Sequence, residues 1–250
     1  MCGIFGIVDF KGDIPREKKV LYLRALATFN EERGKDASGI GMYMPDGKRI
    51  IVKDTVLGHK LPWEEASDAL VVLGHTRAAT CGSRASDGAH PFAFNGHMMT
   101  HNGTGSADHE RLKWAQGESK VDSETMLRYL VTKGGATKDG IEQFAKEWKT
   151  SSYSIQIIKP DGTFIAFRES NPFHFLRLPQ GGIIYTSTQA ALTVFARIFG
   201  FDENGLFYTE EDSFLAISKE THEIVKLNKP KTVSYQPGTY WAGGNYHASR

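Results

Sequence analysis

Met1-Cys2-Gly3-Ile4-Phe5-Gly6-Ile7-Val8 opens the chain and governs how the rest is read. From Cys2 to Val8 the run is apolar apart from two glycines. That is the pattern of a strand covered on both faces. It pins the first residues in the core, at a place where most chains fray. Cys2 then has an unusual chemical position. Loss of Met1 leaves it with a thiol and a free α-amine, whose ordinary pKa values are about 8.5 and about 8. A terminal amine beside a thiol sets a base beside a nucleophile, the arrangement used in acyl transfer. The plain alternative is a tolerant second position that carries nothing, so the remaining residues have to decide.

The chain has 250 residues, 40% of them hydrophobic and 24% charged, which suffices to bury a core. With 30 basic and 29 acidic residues the net charge is +1, which gives no electrostatic ground for nucleic acid or an anionic membrane as partner. No apolar run approaches the length of a membrane span. The N-terminus lacks the basic region and cleavage site of a secretory signal. Two cysteines cannot frame a disulfide scaffold. No Cys/His spacing resembles a zinc site, and there is no P-loop or dinucleotide-binding glycine pattern. Neither metal nor cofactor is therefore expected. A reducing cytoplasm is the expected compartment, since it keeps a thiol usable.

Working outward, Pro15 suits the first position of a helix, and the apolar positions Val20, Leu23, Leu26 and Ala27 predict one over 15–32. Arg33-Gly34-Lys35-Asp36-Ala37-Ser38-Gly39 reads as a loop feeding a hairpin, 40–44 and 48–53, turned by Pro45-Asp46-Gly47. A short helix is expected at 62–68 and a buried strand at 70–75. A polar loop follows, then a tight turn at Asn95-Gly96 and a strand at 97–100. Helices are expected at 107–116, 122–133 and 138–148, with Asp122 as an N-cap. Beyond 152 the pattern is mostly β: a hairpin of 154–158 and 163–168, strands at 174–178 and 182–186, a helix at 188–199, and strands near 205–208, 213–218 and 222–227. Strands come in hairpin-linked groups with helices between the groups. This predicts an α+β fold, a four-layer αββα sandwich of two mostly antiparallel sheets flanked by helices. The tail 229–250 has no period and stays unassigned.

Six motifs then occur in order: MCGIFG at 1–6, RGKDASG at 33–39, GHTRAATCG at 74–82, AHPF at 89–92, HNG at 101–103 and DSE at 122–124. Softer matches follow at a hairpin ending in Arg168, at Asn171-Pro172-Phe173 and at 185–192. Over roughly residues 1–225 the chain resembles the class II, N-terminal-cysteine glutamine amidotransferase domain of the N-terminal nucleophile hydrolases. We read residues 1–250 as a single domain of that type, in a stand-alone form.

The resemblance implies hydrolysis of the L-glutamine side-chain amide through a Cys2 thioester, giving glutamate and ammonia. It implies that the Asn102 side-chain amide and the Gly103 N–H hold the oxyanion, which needs fixed donors. Arg77 matches the family's carboxylate-binding arginine, whose planar fork suits a bidentate grip. Asp122 matches the residue for the α-ammonium, and Thr80 lies on the same substrate loop. Arg33 matches an arginine near the nucleophile, able to hold the terminus or lower the thiol pKa. His90 matches a histidine read as orienting its loop. His75 and His101 are expected to be hydrogen-bonded core residues.

Two departures stand out: Ala78 where the family often has an aromatic residue, and Cys81 where some members have histidine. The expected partner is a separate synthase that accepts the ammonia. The alternatives are a free-standing amidohydrolase on another γ-glutamyl compound, or, if Met1 is retained, a non-catalytic binding or assembly protein on the same scaffold.

Overall fold

A computed structural model describes residues 2–79, 88–103, 113–119, 121–148, 152–208, 211–220 and 222–226. The opening run forms strand β1 (Gly3–Val8), buried along its whole length. It lies inside a seven-stranded sheet and pairs antiparallel with β4 (Val71–Arg77) on one side and β10 (Ile183–Thr186) on the other. The sheet is completed by β2 (Ala37–Tyr43) and β3 (Arg49–Asp54) beyond β4, and by β9 (His174–Arg177) and β11 (Leu206–Tyr208) beyond β10. A six-stranded sheet runs β13 (His222–Lys226), β12 (Ser213–Ile217), β8 (Phe164–Arg168), β7 (Tyr153–Ile158), β6 (His97–Gly103), β5 (Phe92–Phe94). Every described pairing in both sheets is antiparallel.

Four helices cover the outer faces: α1 (Arg16–Asn30) and α4 (Gln189–Phe199) on the first sheet, α2 (Asp122–Gly134) and α3 (Lys138–Glu147) on the second. Alternation along β1 shows why the opening run must be apolar throughout. Phe5 and Ile7 pack under α1 and α4, while Ile4 and Val8 enter the layer between the sheets with Leu73, Met98, Phe164 and Tyr185. Successive residues of a strand point to opposite faces, and here both faces are core. The expected αββα sandwich is therefore the observed architecture.

The far end of β1 is fixed by a buried ion pair. Asp9 meets Lys19 Nζ at 2.9 Å and accepts the N–H groups of Asp13 and Ile14 at 2.9 and 3.2 Å. Lys19 also donates to the Ala69 carbonyl at 2.8 Å. Each charge is thus paired and hydrogen-bonded, the condition under which ions are tolerated inside a protein.

One local expectation needs correcting, and another falls largely outside the described residues. The residue before α2 is Val121, so Asp122 is the first helical residue and not the cap; its carboxylate instead accepts the N–H of Ser123 next to it at 2.8 Å. Of the helix expected at 107–116, residues 107–112 lie outside the described residues. Lys113–Ala115 forms one 3-10 turn.

Candidate active site

The parity that sends Ile4 and Val8 between the sheets also applies to Cys2, at the leading end of β1. On β4, Val71 and Leu73 line the same layer, and Arg77 shares their parity. On β6, Met98 lines it, and Asn102 shares its parity. Three residues that are remote in sequence thus arrive at one end of the inter-sheet layer.

Cys2 is half-buried, with its thiol free. Its Sγ lies 3.3 Å from the Ala78 N–H, which donates to it, and 3.5 Å from the Ala78 carbonyl, to which it donates. Its own carbonyl is gripped twice, by Arg33 Nε at 2.8 Å and by Asn102 Nδ2 at 2.9 Å. Burial pushes the thiol pKa up; the Ala78 hydrogen bond and the charges of Arg77 and Arg33 pull it down but do not cancel the burial. Burial therefore favours the neutral thiol, against the Ala78 hydrogen bond, the chain-terminal charge and the two arginines.

The loop after α1 straps this end of the molecule together. Arg33 N–H donates to the Asn30 carbonyl at 3.0 Å, and Asn30 is anchored in turn through its side chain to Leu26 and Thr186. Gly34 lies against the backbone of Arg77, where a Cβ would overlap the Arg77 carbonyl carbon. Asp36 N–H donates to the Arg77 carbonyl at 3.0 Å, and its carboxylate accepts the Ala79 N–H at 2.8 Å. Asp36 therefore fixes both sides of the residue that contacts the thiol. Its place inside RGKDASG was the only sequence signal for it. Arg77 is 4% exposed, with Gly88 packed against its guanidinium.

Asn102 is held by long-range contacts. Besides the Cys2 carbonyl, its Nδ2 reaches Ser187 Oγ at a long 3.5 Å, and its buried Oδ1 has no hydrogen-bond partner among the described residues. Ser187 accepts the Ile4 N–H at 2.6 Å and donates to the Ile4 carbonyl at 3.0 Å, bracing β1 just behind Cys2. The α4 cap is Thr188, whose hydroxyl accepts the Ala191 N–H. Gly103 follows Asn102 with φ of 139°, a conformation that L side chains rarely adopt.

Three histidines sit beneath these residues. His90 stacks on His75 with ring centroids 4.1 Å apart and stands edge-on to Phe92 at 4.9 Å. His75 Nε2 lies 3.3 Å from the His101 carbonyl, and His101 Nδ1 is 2.9 Å from Ser123 Oγ. Each of these two has one bonded ring nitrogen, as expected of core residues, while the other has no partner among the described residues. Both nitrogens of His90 are also unpartnered. Burial holds His75 down to about 3, His101 down to about 4 and His90 well below the ordinary histidine value. All three are neutral near pH 7 and unsuited to stabilising an oxyanion as cations.

Asp122, half-buried at the start of α2, faces this cluster: its charge favours protonated His101, against the larger effect of burial. Thr80 and Cys81 lie outside the described residues. Among those described, no group of three His, Cys, Asp or Glu side chains could hold a metal ion, and no helix is long and apolar enough to cross a membrane.

No protein-family model matches the chain. The amidophosphoribosyltransferase of Methanocaldococcus jannaschii is 30% identical over 214 residues, which cover 77% of this chain and 43% of that protein. A glutamine–fructose-6-phosphate aminotransferase from Xylella fastidiosa is 27% identical over 218 residues, covering 82% of this chain and 34% of that protein. The chain thus spans less than half the length of these curated relatives. Among solved structures, the glutamine phosphoribosylpyrophosphate amidotransferase of B. subtilis shares the fold with a TM-score of 0.67 at 20% identity, over 90% of this chain and 49% of that one. A glutamine aminotransferase class-II domain protein from Silicibacter pomeroyi matches over its full length and 92% of this chain, with a TM-score of 0.54 at 14% identity. By its sequence relatives and its fold together, the chain is homologous to the class II glutamine amidotransferases.

Proposed function

We propose that residues 1–250 act as one glutamine amidotransferase domain that hydrolyses L-glutamine to glutamate and ammonia. The observation that carries this reading is the double grip on Cys2. Its thiol lies against Ala78, beside buried Arg77, and its carbonyl is held by Arg33 and Asn102. A frayed, unused second residue would not be fixed by three separate segments of the chain.

After removal of Met1, the Cys2 amine takes the thiol proton as sulfur adds to the amide carbon. The oxyanion that forms is held by Asn102 Nδ2 and the Gly103 N–H. For this, one hydrogen of the Asn102 amide stays on the Cys2 carbonyl, while the other leaves its long contact with Ser187. The C–N bond then breaks, and the amine returns its proton to the departing ammonia. Water adds to the thioester, releasing glutamate and restoring the thiol. Arg77 pairs with the substrate carboxylate, Asp122 with its ammonium, and Thr80 lines the pocket. His90 serves as a packed support for the loop that covers Arg77.

The ammonia is passed to a synthase partner. The curated relatives are named for two different acceptors, a phosphoribosyl compound and fructose 6-phosphate, so the family alone does not choose between them. A cytoplasmic setting suits a reactive thiol. In a glutaminase assay the native protein should release ammonia from glutamine, and Cys2→Ala should release none while melting at an unchanged temperature. Full activity in Cys2→Ala would end this reading.

A further inference from the structure

We propose that Asn171 is a positioning residue for the oxyanion donors, acting through the Asn102–Gly103 peptide. The proposal rests on the glutaminase reading of the site. Asn171 follows β8 and lies outside the cluster around Cys2. Its Nδ2 donates to the Asn102 carbonyl at 3.0 Å, and its Oδ1 accepts from Ser152 Oγ at 2.6 Å. A carbonyl can only accept, so the amide nitrogen must face it. Ser152 can then satisfy the other end of the amide. Chemistry therefore fixes which way Asn171 points.

The consequence lies across the peptide bond. The Asn102–Gly103 peptide is trans and close to planar, so its N–H points opposite to its C=O. Holding the Asn102 carbonyl on one side aims the Gly103 N–H to the other. That aim needs holding, because glycine gives the peptide plane unusual freedom to rotate. Gly103 already sits at φ of 139°, with the Ser152 carbonyl packed where a Cβ would be. The segment 152–153 and Asn171 thus clamp the peptide, while the Asn102 side chain grips the Cys2 carbonyl. Pro172 restricts the backbone of Asn171 to extended conformations, which steadies the clamp.

The test compares Asn171→Asp, which keeps the shape but places a carboxylate against the carbonyl, with Asn171→Ala and the milder Ser152→Ala. Three quantities are measured: kcat and KM for glutamine; inhibition by glutamate γ-semialdehyde; and the rate of Cys2 alkylation by iodoacetamide. The aldehyde carbon bonds to sulfur and places an oxygen in the oxyanion position, whereas alkylation creates no oxyanion. Asn171→Asp should lower kcat about 10- to 100-fold, somewhat less than outright loss of an oxyanion donor. KM should stay within about twofold. Aldehyde inhibition should weaken by the same factor as kcat, with alkylation unchanged. Ser152→Ala should show the same pattern at smaller amplitude, which keeps the test open if an Asn171 variant fails to fold. An unchanged kcat in Asn171→Asp, or a parallel fall in alkylation, would overturn the positioning role alone. A native protein that neither hydrolyses glutamine nor binds the aldehyde would overturn the glutaminase reading and this role with it.

Discussion

At Cys2, burial raises the thiol pKa while the Ala78 N–H, Arg77 and Arg33 lower it, and burial wins. A thiol that burial favours in its neutral form shifts the work of activation onto a neighbouring base. That is why the freed α-amine matters to the account. Arg77 contributes to the thiol's surroundings, and its proposed main role is to pair with a substrate carboxylate. Arg77→Ala removes a charge-assisted contact worth about 1.5–3 kcal/mol, so KM for glutamine should rise roughly 10- to 100-fold. Steady-state kinetics checks this, and an unchanged KM would remove Arg77 from the substrate pocket. Cys2 is legible from its position in the sequence, and Arg33, Arg77 and Asn102 through the family resemblance; the four converge in the structure. Asp36, Ser187 and Asn171 were not assigned their roles. Each acts through a hydrogen bond to backbone far away in sequence, and nothing in local pattern reports such a partner.

Among the elements, β1 sets the geometry. Phe5 is fully buried under the helices, 5.8 Å from the Trp63 ring. Truncating it leaves a cavity beneath the strand that carries the nucleophile. Phe5→Ala should cost about 3–5 kcal/mol, read as a shift of the urea unfolding midpoint, with glutaminase activity falling too. Elements with strong periodicity were readable because both sheets bury both faces: β1, β4 and β7 show as apolar runs, and the two Pro-Asp-Gly turns mark their hairpins. The expected start of α2 at 122 is the observed one, but its cap is Val121 and not Asp122. Asp122 has the chemistry of a cap, but its side chain turns to Ser123 and the histidine cluster, a tertiary arrangement that overrides local preference.

At the scale of the whole molecule, the sandwich carries three neutral histidines beneath its catalytic end. Burial is the main cause of their low pKa values. Arg77 and Lys53 act on His90 in the same direction, and Asp122 opposes the effect at His101. An unfolded histidine titrates near 6.5, so above that pH both states are neutral and nothing is lost. As pH falls toward 4 the unfolded chain takes up protons that the folded rings refuse. Stability should drop by up to about 1.4 kcal/mol per pH unit for each ring. Thermal melts between pH 7 and 4 should show this loss, and His90→Phe should show a shallower one. Equal slopes in the two proteins would remove His90 from the effect. The layer order itself was legible from hairpin grouping, whereas the stacking of His75 on His90 depends on how the two sheets face each other.

The central claim is that Cys2, freed of Met1, is the nucleophile. Intact-mass and peptide mapping after incubation with 6-diazo-5-oxo-L-norleucine tests it most directly. The expected result is a chain lacking Met1 that carries one adduct, on Cys2, with glutamine hydrolysis lost in proportion to labelling. Labelling at another residue, or glutamine hydrolysis by protein that retains Met1, would contradict it.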